Sequence, residues 1–308
     1  MSQPQAFQFA LVSDGDVTEK EWRELARRAA DLGYDALLVS DHVDQRLAPV
    51  PAVAAAAEVT DGLVVGTYVL NNDLRHPLML ARDAASLHAL SDGRFQLGLG
   101  AGWYRVDYER TGIGFDPGRV RYERLREAVA ICRSHWAGCA IEAGAHYRVR
   151  QEAQDPPCRH GGPRLLLGGT RRGMLSLAVQ EADIVSVVPG LGPDGPTGLD
   201  DCSPAHLDEK MAWIRAEAAA LGRSPRLNHL VWECFVTPRP AAVQEALARA
   251  VGRTPGELAE LACFLVGTAA QVRDTLLARR ERWGFDYVTV PAAAAEPFAA
   301  VVAALKGR

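Results

Sequence analysis

Three glycines stand at alternate positions where an apolar segment ends: Gly98, Gly100 and Gly102. Glycine weakens a strand in backbone entropy and in packing, so three of them at one strand end need a reason. We infer that a flat or phosphorylated ligand lies against bare backbone there. The spacing does not fit the dinucleotide-binding fingerprint, because its third glycine would stand at position 103, which is Trp103.

A histidine ends a second apolar segment, where Asp41 and His42 follow residues 35–40. Imidazole titrates near neutrality, so His42 is suited to proton transfer or to polarising a substrate oxygen. The alternative is a histidine that is hydrogen-bonded within its loop, with Asp41 capping the next turn. A position at the end of a strand favours the catalytic interpretation of both residues.

A phosphate-binding turn is predicted where a third apolar segment ends. A strand end, a helix start and two guanidinium groups coincide there, so free N–H groups and positive charge converge. The alternative is a tight turn with solvated arginines. The residues concerned are Gly168, Gly169, Thr170, Arg171 and Arg172.

Other polar or aromatic residues follow predicted strands. Asp14 follows the first strand and is predicted to contact substrate. Asn71 belongs to a polar cluster at 70–73, for which ordinary turn chemistry is the alternative. Trp103, with Tyr104 beside it, either stacks on a planar ligand or shields the mouth of the fold.

Strand-like and helix-like patterns alternate almost from end to end, which predicts an α/β fold. Eight strands in 308 residues favour a closed TIM (β/α)8 barrel over an open, doubly wound sheet. We expect one domain, 1–308, with loop insertions at 137–163, after the fourth helix, and at 189–204, after the sixth strand. The predicted strands are 7–12, 35–40, 63–70, 94–99, 165–167, 183–188, 227–236 and 286–290.

Composition narrows the class of protein. The formal charge of −4 argues against nucleic-acid or polybasic membrane partners, and no apolar run is long enough to span a membrane. The six cysteines include no C-x-x-C pair and no metal-like cluster, which is typical of reduced thiols in a cytoplasm. The first residues lack the pattern of a signal peptide. These observations predict a cytoplasmic globular protein with no metal site.

Several of these segments together resemble the luciferase-like monooxygenase superfamily, whose barrel enzymes use reduced flavin mononucleotide or the deazaflavin coenzyme F420. The resemblance runs from about residue 7 to 188 and is looser in the last strands. The branch it resembles most is an actinobacterial one assigned to F420. Its most specific segments are 33–42, 66–77, 90–103, 167–172 and 181–184.

The resemblance implies a role for each segment. Asp41 and His42 would lie beside the reactive ring, with His42 as the acid/base or polarising group. Tyr68 and Val69 match a strand end at which relatives carry a non-prolyl cis peptide under the central ring.

The resemblance also implies contacts along the rest of the cofactor. Asn71, on the same strand end, is a further expected cofactor residue. Ala101 and Gly102 match backbone that contacts the edge of the ring. Gly168, Gly169 and Thr170 match a turn that holds phosphate, and Ser186 is expected to help line that pocket.

One position departs from the resemblance. The F420-dependent sugar-phosphate dehydrogenases of this superfamily have a glutamate as the acid where this chain has Trp103. The same substrate and proton relay are therefore not expected here, and a tryptophan suggests an apolar or aromatic substrate.

The function that we predict is F420-dependent hydride transfer to or from a small organic substrate. One alternative is an oxygen-dependent monooxygenase that uses reduced FMN. A metal-dependent barrel hydrolase is disfavoured, because the first strand lacks His-x-His and only His42 among the histidines ends a strand. A non-catalytic flavin-binding relative is the last alternative. By analogy, we expect a homo-oligomer.

Overall fold

The computed structural model describes residues 5–153, 158 and 161–308. Its strands alternate with helices as predicted, and additional short strands pair with each other in the loops. They are β1 (Gln8–Ser13), β2 (Ala36–Val39), β3 (Val64–Thr67), β4 (Leu70–Asn71), β5 (Phe95–Gly100), β6 (Ile141–Ala143), β7 (Val149–Gln151), β8 (Arg164–Gly169), β9 (Ile184–Val187), β10 (Gly190–Gly192), β11 (Gly195–Gly198), β12 (Arg226–Leu230), β13 (Glu233–Val236), β14 (Phe264–Gly267) and β15 (Tyr287–Pro291).

Parallel strands close into a barrel in the order β3, β2, β1, β15, β12, β9, β8 and β5, and β3 also pairs with β5. After a break at Tyr68 and Val69, β4 continues β3 and pairs with β5 through Leu70 and Asn71. β3 and β4 thus form a single barrel strand, which gives eight in all. The predicted barrel is confirmed, and the open sheet is wrong.

Helices cover the outside of the barrel, and local sequence explains where several begin. Thr18 and Glu21 form a capping box at the start of the first helix, and a proline opens the second, third and seventh helices. The helices are α1 (Glu19–Asp31), α2 (Pro49–Glu58), α3 (Pro77–Leu90), α4 (Arg105–Thr111), α5 (Gly118–Trp136), α6 (Arg172–Glu181), α7 (Pro204–Ala220), α8 (Pro240–Ala250), α9 (Pro255–Glu260), α10 (Ala269–Trp283) and α11 (Ala295–Leu305).

The predicted seventh strand, 227–236, is wrong as one continuous strand. Its first half is β12 in the barrel, and its second half is β13, which pairs with the unpredicted β14 outside the barrel. The backbone changes partner between the halves: the N–H of Val231 donates to the carbonyl of Thr289 on β15, whereas the N–H of Trp232 donates to that of Cys263. The strand-like pattern of residues 227–236 continues through this change of partner, so the sequence alone cannot show it.

The two predicted insertions contain regular structure. The first includes the antiparallel pair β6 and β7. It also includes residues 154–157 and 159–160, which lie outside the described residues. The second contains the antiparallel pair β10 and β11. The loop after β5 contains α4, which is too short to stand out in the sequence.

A polar network fills the centre of the barrel. The Tyr68 hydroxyl lies 2.5 Å from Ser186 Oγ and 3.0 Å from Asn228 Oδ1, and Asn228 Nδ2 donates to Thr289 Oγ1 at 2.8 Å. Burial raises the pKa of the Tyr68 phenol, which keeps it neutral. Its polar end is therefore engaged inside the barrel.

Within the described ranges, no helix is both long and apolar enough to cross a membrane.

Candidate active site

A cavity of about 580 Å³ opens at the C-terminal ends of the barrel strands. Thirteen of the fifteen residues predicted to form the site line it: Asp41, His42, Tyr68, Val69, Asn71, Ala101, Gly102, Trp103, Gly168, Gly169, Thr170, Arg171 and Ser186. The sequence therefore located the cavity, although several of these residues are present for other reasons than those expected.

Asp14 and Arg172 do not line the cavity, which corrects their expected placement. The chain turns directly after β1, where Ser13 Oγ accepts from the N–H of Gly15, and the exposed Asp14 accepts from the N–H of Asp16. Arg172 begins α6, and its guanidinium lies 5.7 Å from the ring centre of Trp213. Both side chains thus have local roles on the surface.

His42 has a carboxylate partner that the sequence analysis did not identify. Its Nδ1 lies 2.9 Å from Oδ2 of the buried Asp107, whose Oδ1 accepts from the N–H of Val43 at 2.9 Å. An ionised carboxylate only accepts hydrogen bonds, so Nδ1 donates and Nε2 is the nitrogen left for a ligand. Asp107 stands 65 positions after His42 in the unpredicted helix α4. The sequence could have indicated Asp107 only through a pattern that predicted helix α4.

Asp41 is adjacent to His42 in the sequence, but its carboxylate pairs with Arg75. Both oxygens of its carboxylate accept from Arg75, at 2.5 and 3.1 Å, and Oδ2 also accepts from the N–H of Asn71. The negative charge of Asp41 is thereby neutralised. Its position ties the end of β2 to the start of β4, so Asp41 supports the wall beside His42.

The strand-end glycines are required first by neighbouring protein atoms, which corrects the initial inference that a ligand requires them. A Cβ at Gly98 would collide with the Thr67 carbonyl, and one at Gly100 would lie 2.7 Å from Cγ2 of Val69. The peptide between Tyr68 and Val69 is cis, as the resemblance implied. Gly98 and Gly100 thus allow β5 to pack against the segment that carries Val69.

Gly102 lies in the same wall of the cavity, but its backbone conformation also requires glycine. Its φ of +75° lies in the left-handed region, and a Cβ there would come 2.8 Å from Cγ of Asn71 and would also collide with the Tyr108 hydroxyl. With Ala101 and Val69, it gives the cavity a side built largely from backbone and small side chains.

The last residues of β8, where the chain enters the turn to α6, pack too tightly for side chains. A Cβ at Gly168 would lie 2.7 Å from the Ser186 carbonyl oxygen, and one at Gly169 would lie 2.8 Å from Cβ of Met174. Arg171 follows at the N-terminus of α6, and it has no carboxylate within 4.0 Å in the part of the chain that the structure describes. This turn offers backbone N–H groups and an unpaired positive charge, as an anion site requires.

A buried lysine stands behind that turn, and the sequence analysis missed it. Lys210 is only 3% exposed, and its Nζ donates to Thr170 Oγ1 at 2.7 Å and to the Asp201 carbonyl at 2.8 Å. The signal was present, because Lys210 shares the buried face of α7 with Leu207, Met211 and Ile214. A lysine on an apolar helix face is rarely buried without a specific partner.

The remaining wall is mostly apolar. Trp103 packs edge-on against His42, with ring centres 5.5 Å apart. The lining also includes the apolar residues Leu191, Leu230, Val231 and Trp232, all of which lie outside the predicted site residues. Among the residues that the structure describes, no group of three or more His, Cys, Asp or Glu side chains is placed to hold a metal ion.

Comparison with known proteins places this architecture in a family. The family model for luciferase-like monooxygenases matches residues 6–262. The chain belongs to that family. This conclusion confirms the resemblance drawn from the sequence, and it agrees with a barrel whose candidate site lies at the C-terminal strand ends.

Individual relatives in the family carry different activities in their names. An F420-dependent glucose-6-phosphate dehydrogenase from Beutenbergia cavernae is 35% identical over 131 residues, 40% of this chain and 39% of the relative. The oxygenase component of a flavin-dependent trigonelline monooxygenase from Acinetobacter baylyi is 28% identical over 174 residues, 55% of this chain and 48% of the relative. The chain thus matches less than half the length of these curated relatives.

Solved structures resemble the chain over nearly its whole length. An F420-dependent secondary alcohol dehydrogenase in complex with an F420–acetone adduct has a TM-score of 0.79 at 18% identity, covering 98% of this chain and 100% of its own. An EDTA monooxygenase from Chelativorans has a TM-score of 0.78 at 14% identity, covering 97% and 94%. At such identities the likeness shows the fold alone.

Proposed function

We propose that this chain is an oxidoreductase that binds coenzyme F420 and acts on a small organic substrate. One observation carries the proposal: a single cavity combines the hydrogen-bonded pair His42 and Asp107, a wall of backbone at Ala101 and Gly102, and the turn at 168–171, which Lys210 contacts through Thr170. The F420-dependent relatives, in sequence and in fold, support the choice of cofactor.

The residues of the cavity fit a cofactor with a flat ring and a phosphate. A volume of about 580 Å³ lies within the range of cofactor pockets. Val69, Ala101 and Gly102 would lie against the ring, and residues 168–171 would hold the phosphate with N–H groups and the Arg171 guanidinium. When bound, F420 supplies or accepts a hydride at the substrate carbon.

His42 would handle the proton that accompanies this chemistry. Its imidazole lines the cavity with 25% of the side chain exposed, and Asp107 fixes the ring through Nδ1. A proton could therefore be held or released at Nε2, towards an oxygen of the substrate. Asp107 is a positioning residue, because it acts through His42.

Reduced FMN with oxygen is the second candidate. Trp103 occupies the position at which the resemblance places the acid of the sugar-phosphate dehydrogenases, and the cavity is largely apolar around it. The trigonelline monooxygenase relative is named as flavin-dependent and aligns over a larger share of this chain. Both observations favour an oxygenase more than a sugar-phosphate dehydrogenase.

Binding and turnover together test the proposal. We expect the purified chain to bind F420 more tightly than FMN in parallel titrations, and to turn over substrate without oxygen. Tighter binding of FMN, with turnover only in air, would replace the first candidate by the second. If neither cofactor bound, both would be wrong.

The setting of the activity is also a proposal. The barrel strands run from Gln8 to Pro291, which supports treating residues 1–308 as one catalytic domain. A small organic substrate agrees with the names of the relatives. The cytoplasmic location and the homo-oligomer remain predictions from the sequence.

A further inference from the structure

The charges that line the cavity leave one guanidinium without an assigned role. Asp41 pairs with Arg75, and Asp107 bonds His42. Arg171 stands at the turn that would hold the cofactor phosphate. Arg121, on the first turns of α5, also lines the cavity, and no predicted function uses it.

Arg121 has no acidic partner among the residues that the structure describes. Its Nη1 donates to the backbone carbonyl of Asp116 at 2.5 Å, its Nε is buried without an acceptor, and no carboxylate lies within 4.0 Å of it in the described ranges. The nearby carboxylate of Asp116 is already bonded to Arg124 at 2.7 Å. Arg121 therefore brings an uncompensated positive charge to the cavity wall, whereas Arg124, one turn later on the same helix, is paired.

Aromatic rings fix the position of this guanidinium. Its central carbon lies 4.1 Å from the ring centre of Phe115 and 5.9 Å from that of Tyr108. Stacking of this kind orients a guanidinium without neutralising it. Tyr108 directly follows Asp107, the partner of His42, so helix α4 contacts both Arg121 and the proposed acid/base residue.

We propose that Arg121 binds an anionic group of the substrate, a carboxylate or a phosphate, whose apolar body packs against the apolar lining of the same cavity, which includes Trp103 and Trp232. The inference rests on the proposed function and adds the substrate class to it. A guanidinium that is partly withdrawn from water gains a strong, charge-assisted contact when an anion reaches it. Helix α4 contacts both Arg121 and His42, so Arg121 belongs to the part of the cavity that holds the proposed acid/base residue. The turn proposed to hold the cofactor phosphate lies elsewhere, at the end of β8.

The test uses the protein loaded with F420 and a set of neutral and charged probes. Benzoate, phenylacetate and indole-3-acetate are titrated against the corresponding amides, with the absorbance of the bound cofactor as the signal. The native protein should bind each acid about tenfold or more tightly than its amide, the effect of one charge-assisted pair. Equal binding of acids and amides by the native protein would overturn the proposal without any variant.

Two variants locate the effect. Arg121→Gln should abolish the preference for acids and leave the dissociation constant of F420 within about twofold, because the cofactor phosphate lies at the other turn. Arg119→Gln is the matched control: Arg119 lies on the same helix, is exposed, and pairs with Glu123, so the preference should persist.

The remaining outcomes separate this inference from the proposed function. If Arg121→Gln weakened F420 as strongly as it weakened the acids, Arg121 would belong to the anionic tail of the cofactor, and the substrate assignment would be wrong. If Arg119→Gln had the same effect as Arg121→Gln, the preference for acids would arise from the general positive charge of α5 and not from a specific site. Failure of the native protein to bind F420 would instead contradict the proposed function itself.

Discussion

Two histidines of this barrel occupy opposite environments. His42 reaches the cavity, and Asp107 accepts from its Nδ1. His229 lies on β12 and is only 2% exposed; its Nε2 is 2.8 Å from the Ala262 carbonyl oxygen and 3.1 Å from a nitrogen of Arg279. Both are held firmly, but only His42 faces space that a ligand can enter.

Burial decides the charge of His229. Together with the neighbouring positive charge of Arg279, it lowers the pKa of this histidine to about 3. Its ring also stacks on Phe285, with ring centres 4.8 Å apart. His229 is therefore a neutral packing residue at physiological pH, and the comparison predicts that changes at the two histidines affect different properties.

The largest expected effect is at His42. His42→Ala should lower kcat by at least about 100-fold, because a positioned acid/base group contributes on that scale. The dissociation constant of F420 should stay within about twofold, since the ring and phosphate contacts remain. Steady-state kinetics with a cofactor titration measures both. Unchanged turnover would remove His42 from the mechanism.

A smaller effect should follow from the partner of His42. Asp107→Asn should lower kcat by about 10- to 100-fold with little change in KM or cofactor affinity, because residues that orient a functional histidine contribute on that scale. Asp107→Glu should restore part of the loss. If Asp107→Asn instead weakened cofactor binding as much as turnover, its role would be structural.

The phosphate turn should respond in binding rather than in turnover. Replacing Arg171 and Arg172 together by alanine should weaken F420 by about tenfold, the loss of one charge-assisted contact. Arg171→Ala alone should account for most of this loss, because the side chain of Arg172 lies over Trp213. An unchanged dissociation constant in the double variant would place the phosphate elsewhere.

The smallest effect on turnover should be at His229, whose contribution is to stability. Its folded pKa lies below the unfolded value near 6.5, so the unfolded chain binds more protons between those values. Stability should thus be complete above about pH 6.5 and fall progressively as the pH drops towards about 3. His229→Gln should flatten that fall, which urea unfolding at several pH values measures. An equally steep fall in the variant would contradict a buried neutral His229.

The barrel could be predicted because alternating strands and helices each leave a recognisable pattern in the local sequence. The sequence also indicated the edge of the barrel at which the cavity opens, because polar residues that follow parallel strands converge there. The glycines at 98, 100 and 102 indicated a wall of the cavity. The reason for them, close packing against residues such as Val69 and Asn71, could be seen only in the structure.

Contacts across the chain could not be predicted in the same way. Asp107 lies in a helix of seven residues, too short for a periodic signal, and Lys210 reaches Thr170 across 40 positions. Arg121 is a candidate anion-binding residue only because the carboxylate of Asp116 bonds to Arg124 instead. This pairing can be seen only in the structure. Sequence patterns give the elements, and the partners follow from the packing.

The most direct test of the account is a crystal structure of the protein with F420. We expect the deazaflavin ring against Val69, Ala101 and Gly102, the phosphate on the turn 168–171, and His42 facing the reactive side. A cofactor bound away from that turn, or a ring on the far side of the cavity from His42, would contradict it.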